Sequence, residues 1–266
     1  ADFTYTKKNI LLEQLAMNTP NSEMKGRVEL KYDRKDFSDF NNKVVFDVEF
    51  DKASIASNDL NFFYNEFGKN NIFYVDTHLV GTLNNFTTHN LKLTDKNQSE
   101  IIGTANFQNL FGKGNQEFYM KGSFDRITSD YEALKIIMPR VLGKNLPSVL
   151  AKLGRVDLNG DVELTQKYIN ANVYLLSKLG IVDGDLAIQN IDNIDNASYQ
   201  GNIKLDNFDL GTLLSEKDLG KTTLDLDVDG KGFTQKLLNT SIEGTIKKFY
   251  YNGYNYQNVT VDGSMK

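Results

Sequence analysis

Leu224 to Lys231 reads LDLDVDGK, and three aspartates at alternate positions followed by glycine have the spacing with which an oxygen-ligand loop closes on Ca2+. Such a loop needs a bidentate carboxylate at its twelfth position, and counted from Asp225 that position is Lys236. Leu226 and Val228 also alternate with the aspartates in the period of a pleated strand. Leu224, Leu226 and Val228 then share one face while Asp225, Asp227 and Asp229 share the other. The strand accounts for every residue of the run, so no metal site is assigned.

The other residue types that do chemistry are sparse or scattered. His78 and His89 are the two histidines, and neither has a spacing that pairs it with a nucleophile or a metal-ligand set. There is no cysteine, which removes thiolate chemistry and disulfides. No phosphate loop, dinucleotide-binding glycine run or nucleophile elbow occurs. Carboxylates are abundant but fall on the polar positions of alternating runs, where a solvated face explains them. The sequence therefore predicts no catalytic residue, no enzyme activity and no cofactor. The aromatic run FYYNGYNYQNV, Phe249 to Val259, offers rings that could stack on sugars or bases. Asn252-Gly253 at its centre is the commonest two-residue hairpin turn, however, and cross-strand tyrosines stabilise such hairpins. A net charge of −5 with no basic block argues against a nucleic-acid partner.

The elements that must carry these residues are strands. A glycine, a polar residue and an apolar residue open one alternating run after another: GRVEL at Gly26, GTANF at Gly103, GSFDRI at Gly122, GDVEL at Gly160, GDLAI at Gly184, GNIKL at Gly201 and GTIKKF at Gly244. Glycine weakens a ladder unless a bend or close approach uses it, so the recurrence predicts a long curved antiparallel sheet or trough of meandering hairpins, mainly β. Only three prolines interrupt the chain. Short helices are predicted near 8–17 (KNILLEQLAM), near 58–67 with Asn58 as N-cap, and near 129–153, where Pro139 and Pro147 divide the segment. The expected organisation is a first β-rich stretch over 1–128, a helical insertion over 129–153 and a second β-rich stretch of the same sheet system over 154–266. No apolar run approaches the ~18 residues that would cross a bilayer. The run VTVDGSMK reads as a strand with an unpaired edge, which predicts edge-strand self-association.

Over Asn207 to Lys266 the phrases FDLGTLL, KDLG, DVDGKGF, IEGTI, YNGYNY and VTVDGSM follow one another in an order that resembles the repeat region of the TamB family of AsmA-like envelope proteins, in its Bacteroidota versions. LGKNLPSVLAKLGRVDLNGDVEL, Leu142 to Leu164, is similar to the helix-then-strand passage that opens such a unit. The resemblance extends from about Gly81 onward. It implies a sheet rolled into a β-taco and a bridge-like lipid transfer protein of the periplasm, whose groove carries phospholipid acyl chains between inner and outer membranes and supports outer-membrane biogenesis. It also implies attachment to the inner membrane, and an outer-membrane partner of the Omp85 class, through parts that are not in this chain. On that reading the groove is lined by Val156, Leu158, Val162, Leu164, Ile169, Val173, Leu175, Leu186, Ile188, Ile203, Leu205, Leu224, Leu226, Val228, Ile242 and Ile246. Alternation is equally compatible with a closed sandwich, and so with a β-rich scaffold or adhesion module that assists outer-membrane protein assembly without conducting lipid.

Overall fold

The computed structural model describes residues 1–63, 68–110, 117–137, 148–191, 196–232 and 239–265. The chain forms two compact units, 1–144 and 145–266, divided within the segment predicted to be helical. Unit one carries β1 (Asp2–Tyr5), β2 (Asn9–Asn18), β3 (Glu23–Lys31), α1 (Phe40–Lys43), β4 (Val45–Ala56), α2 (Ser57–Phe63), β5 (Ile72–Gly81), β6 (Phe86–Asp95), β7 (Glu100–Gln108), β8 (Tyr119–Ser129) and α3 (Tyr131–Ile137). Unit two carries a 3-10 turn (Ser148–Leu153), then β9 (Val156–Thr165), β10 (Tyr168–Ser177), β11 (Gly180–Gln189), β12 (Ser198–Asp209), α4 (Leu210–Leu214), β13 (Leu219–Lys231), β14 (Asn239–Tyr251) and β15 (Tyr254–Met265). Within each unit every strand pairs antiparallel with its sequence neighbours, the meander that the hairpin spacing predicts. No helix among the described residues is long and apolar enough to cross a membrane.

The helix predicted near 8–17 is instead strand β2, and the error has a physical source. Leu12 stands opposite Val28 but Leu15 opposite Gly26, so β2 carries one extra residue, at a bulge where Gln14 has φ +50°. The bulge returns Leu15 and Met17 to the face of Ile10 and Leu12. The apolar spacing therefore changes from two to three within the strand and imitates a helical period. The same device recurs at Lys52 in β4 and Asn90 in β6, both with positive φ and both beside a register shift.

The helix predicted near 58–67 is α2. It begins at Ser57, so Asn58 lies inside its first turn and does not cap it. The Asn58 amide oxygen instead accepts the Asn70 N–H at 3.0 Å. Asp59 ties α2 to the β2–β3 hairpin by accepting from the hydroxyls of Thr19 and Ser22 and from the Asn21 amide. Of the helical segment near 129–153, α3 and the 3-10 turn are formed, while 64–67 and 138–147 lie outside the described residues.

One face of unit one is polar and cross-linked. The Arg27 guanidinium bonds Glu29 and lies 3.4 Å from Asp47, Lys31 reaches Asp47 at 3.2 Å, and His78 Nε2 meets Asp47 Oδ1 at 2.9 Å. The His78 bond is the largest influence holding the Asp47 carboxyl below the usual aspartate range, helped by Lys31 and Arg27 against partial burial.

Candidate functional site

Directly opposed residues of an antiparallel pair point to the same side of a sheet, so the register of unit two decides which apolar residues meet. Gly160, Val173, Gly184, Ile203, Leu226, Gly244 and Val261 stand opposite one another in turn from β9 to β15. A flanking row runs Val162, Ala171, Leu186, Gly201, Val228, Ile242 and Gly263, and the other runs Leu158, Leu175, Val182, Leu205, Leu224, Ile246 and Val259. Leu164, Ile169 and Ile188 begin a fourth row, and Val156 shares the side of Leu158 by alternation. All sixteen residues predicted to line a groove thus lie on one face of one unit. Ala171 lies on the same face, as its alternation with Ile169, Val173 and Leu175 predicts; Val182, Val259 and Val261 lie there too and were missed, although GIVDGDL and NVTVDG carry the alternation that would have found them.

This face is neither packed like a core nor open like the reverse side. Fifteen of the sixteen are half-buried, and Leu226 is the most enclosed at 9% exposure. The strands of unit two pack on their sequence neighbours, with α4 packing on β13 and on the 3-10 turn, and unit two supplies no second sheet of its own to cover the face among its described residues. Among the described residues a true core forms at one end, where Leu153, Leu179 and Phe208 are buried with Leu150, Val156, Val182, Leu205 and Leu213 against them. In a closed sandwich the inward positions along the whole of each strand would be buried in this way.

Glycines let neighbouring backbones approach closely beneath the face. Gly160 has φ +130° and Gly201 φ +143°, and a Cβ at either would lie 2.1 Å from the Asn172 carbonyl oxygen or 1.9 Å from that of Asp185. The neighbouring backbone occupies the space of a side chain, a close approach only glycine permits. Gly184 differs: its φ is ordinary, and the nearest atom to an added Cβ is Leu186 Cδ1 at 4.0 Å.

The reverse face of unit two is acidic. Asp225, Asp227 and Asp229 point to it from β13, and the Asn202 amide donates to Asp225 at 3.0 Å and to Asp227 at 2.9 Å while Lys204 lies 3.7 Å from Asp225. A concavity of about 630 Å3 opens on this side, bordered by Asp185, Asp227, Asp229, Glu243 and Asp262. Sequence alternation marked these carboxylates as solvated but gave no sign that they converge. No group of three or more metal-ligating side chains with metal-site geometry occurs among the described residues.

His78 and His89 are directly opposed on β5 and β6 with ring centroids 5.7 Å apart, on the polar face of unit one. The aromatic run forms the β14–β15 hairpin, whose turn residues Asn252 and Gly253 both have positive φ, as a type I′ turn requires. Phe249 opposes Tyr256 and Tyr251 opposes Tyr254, so the four rings continue the apolar face to its end.

Comparisons with family models, with curated proteins and with solved structures found no match.

Proposed function

We propose that this chain is a segment of a bridge-like lipid transfer protein, whose apolar face holds phospholipid acyl chains on their way between the inner and outer membranes of a Gram-negative envelope. The observation that carries this reading is the gathering of sixteen aliphatic side chains on one half-buried face that no second sheet of unit two covers among its described residues. An apolar surface of that extent costs about 25 cal/mol for each Å2 left in water, so it calls for an apolar occupant. Acyl chains fit the chemistry: they need no hydrogen bonds, and the face offers none along its middle rows. The resemblance of the Asn207–Lys266 phrases to TamB repeats supports the same occupant, and with it a periplasmic setting and an Omp85-class partner reached through other parts of the protein.

Native mass spectrometry of the protein purified without added lipid tests the reading. Phospholipid adducts are expected, and Val173→Asp should lose them. A wild-type chain that stays free of lipid when offered vesicles would overturn lipid carriage and leave a β-rich scaffold as the function.

A further inference from the structure

On the polar side of unit two, at the end where β13 begins and β14 closes, a cavity of about 380 Å3 is lined by Asn207, Lys221, Thr223, Lys248, Tyr250 and Asn255, with Gly220 as backbone wall. Three successive strands break register around it. β12 shifts between Leu205 and Phe208, where Asn207 has φ +47°; β13 shifts between Leu219 and Thr222; and β14 carries an extra residue opposite the Thr223/Leu224 step. Bulges re-aim side chains that regular alternation would send elsewhere. Here they gather two lysines, two asparagines and a tyrosine around one space. The Tyr250 ring lies where a Cβ on Gly220 would be, 2.7 Å from its nearest atom, so glycine lets the ring form the wall.

No carboxylate lines this cavity, although the same face is acidic elsewhere. Two carboxylates border it from outside and accept hydrogen bonds from hydroxyl and backbone donors. Asp206 accepts from the Thr223 hydroxyl at 3.4 Å, and Asp209 accepts from the Thr212 N–H and hydroxyl at 2.8 and 2.7 Å. Among the described residues neither cavity lysine lies within ion-pair distance of a carboxylate, although Asp209, directly opposite Lys221 in the β12–β13 register, is held low in part by that lysine's charge; the ion pair of this face joins Lys204 to Asp225. Two positive charges with neutral donors spread over four strands suit a tetrahedral anion better than the planar fork of a carboxylate.

We propose that the cavity is a binding site for a phosphate group, in a phosphomonoester or phosphodiester, with Lys221 and Lys248 supplying the charge and Asn207, Asn255 and Tyr250 the neutral donors. The site lies on the opposite face from the apolar rows, so it stands whether or not those rows carry lipid. A soluble phosphoester and a glycerophospholipid headgroup present the same chemistry, and the test separates them.

In one arm, glycerol 3-phosphate is titrated calorimetrically into the protein. In the other, the protein is floated with phosphatidylcholine vesicles with and without phosphatidylglycerol. Each arm compares Lys221→Gln/Lys248→Gln with Lys217→Gln/Lys231→Gln, which removes the same charge outside the cavity. Saturable binding weakened about ten-fold or more by the cavity pair, with little change in the other pair, is expected in at least one arm. That pattern in the titration identifies a soluble phosphoester as sufficient; in the vesicle arm alone it identifies the lipid headgroup. No saturable binding in either arm, or equal weakening by both pairs, overturns the site.

Discussion

Gly201 and Gly184 sit on adjacent strands of one apolar face yet answer differently to the same methyl group. At Gly201 an alanine would need φ +143° and would drive its Cβ to 1.9 Å from a backbone oxygen, so Gly201→Ala should cost at least about 2 kcal/mol through strain and overpacking. At Gly184 nothing stands closer than 4.0 Å and the backbone is unstrained. There Gly184→Ala should be neutral or stabilising by up to about 1 kcal/mol, because alanine loses less chain entropy on folding. Urea denaturation of the two variants checks the contrast; equal losses would mean that close approach is not what places glycine at Gly201. Asp59 supplies a pH test. Hydrogen bonds from Ser22, then Thr19 and Asn21, hold its carboxyl below the ordinary aspartate value. The folded state therefore holds this proton less tightly than the unfolded chain. Stability from these bonds is fully present above the unfolded value near ~3.9 and is lost as pH falls through the lower folded value. Melting temperatures of Asp59→Asn should accordingly fall less steeply than wild type below about pH 4, and parallel acid limbs would refute the linkage.

Among elements, α4 shows how a single turn of helix can matter more than its length. Asp209 ends β12 and caps α4, accepting the Thr212 N–H at 2.8 Å, and its carboxyl is held low chiefly by that backbone bond and the Thr212 hydroxyl. α4 in turn places Leu213 against the Leu153, Leu179 and Phe208 core, the one buried apolar cluster among the described residues of unit two. Asp209→Ala should destabilise by about 1 kcal/mol, the usual cost of losing an N-cap. Amide exchange should quicken most in α4 and the adjoining end of β13, which α4 packs against. Uniform quickening across the sheet would instead point to a global effect.

For the molecule as a whole, the decisive property is that the apolar face of unit two is open among its described residues. Val173 stands between Gly160 and Gly184, where the neighbouring strands contribute no side-chain bulk. A carboxylate there can remain hydrated, so Val173→Asp should keep its strand content and melt cooperatively. A lipid chain crossing it would meet an unpaired ion, a cost of several kcal/mol, and lipid retention should fall accordingly. Under a closed sandwich the same carboxylate would be buried, and several kcal/mol against a typical stability of ~5–15 would unfold the domain. Circular dichroism with native mass spectrometry separates the outcomes: loss of fold would refute the open face, and undiminished lipid would refute carriage along it.

Alternation with period two determined a great deal without any coordinates. It identified strands β9 to β14, set the aspartates of LDLDVDGK on the side opposite Leu224, Leu226 and Val228, and placed the Asn252-Gly253 turn. These are local facts, because the pleat turns successive side chains to opposite faces wherever the strand is regular. Where a bulge interrupts the pleat, local information fails. Gln14 shifted the pattern of β2 by one residue and made a strand read as a helix, and Lys52 and Asn90 mark the same slip in β4 and β6. Other features depended on register between strands, which no single run of sequence contains. The alignment of sixteen aliphatic residues into rows, the pairing of His78 with Asp47, and the cavity around Lys221 and Lys248 exist only once each strand is matched to its neighbour. A slip of one residue would send every side chain of that strand to the other face, so it is pairing, a tertiary choice, that turned an alternating sequence into one continuous apolar surface.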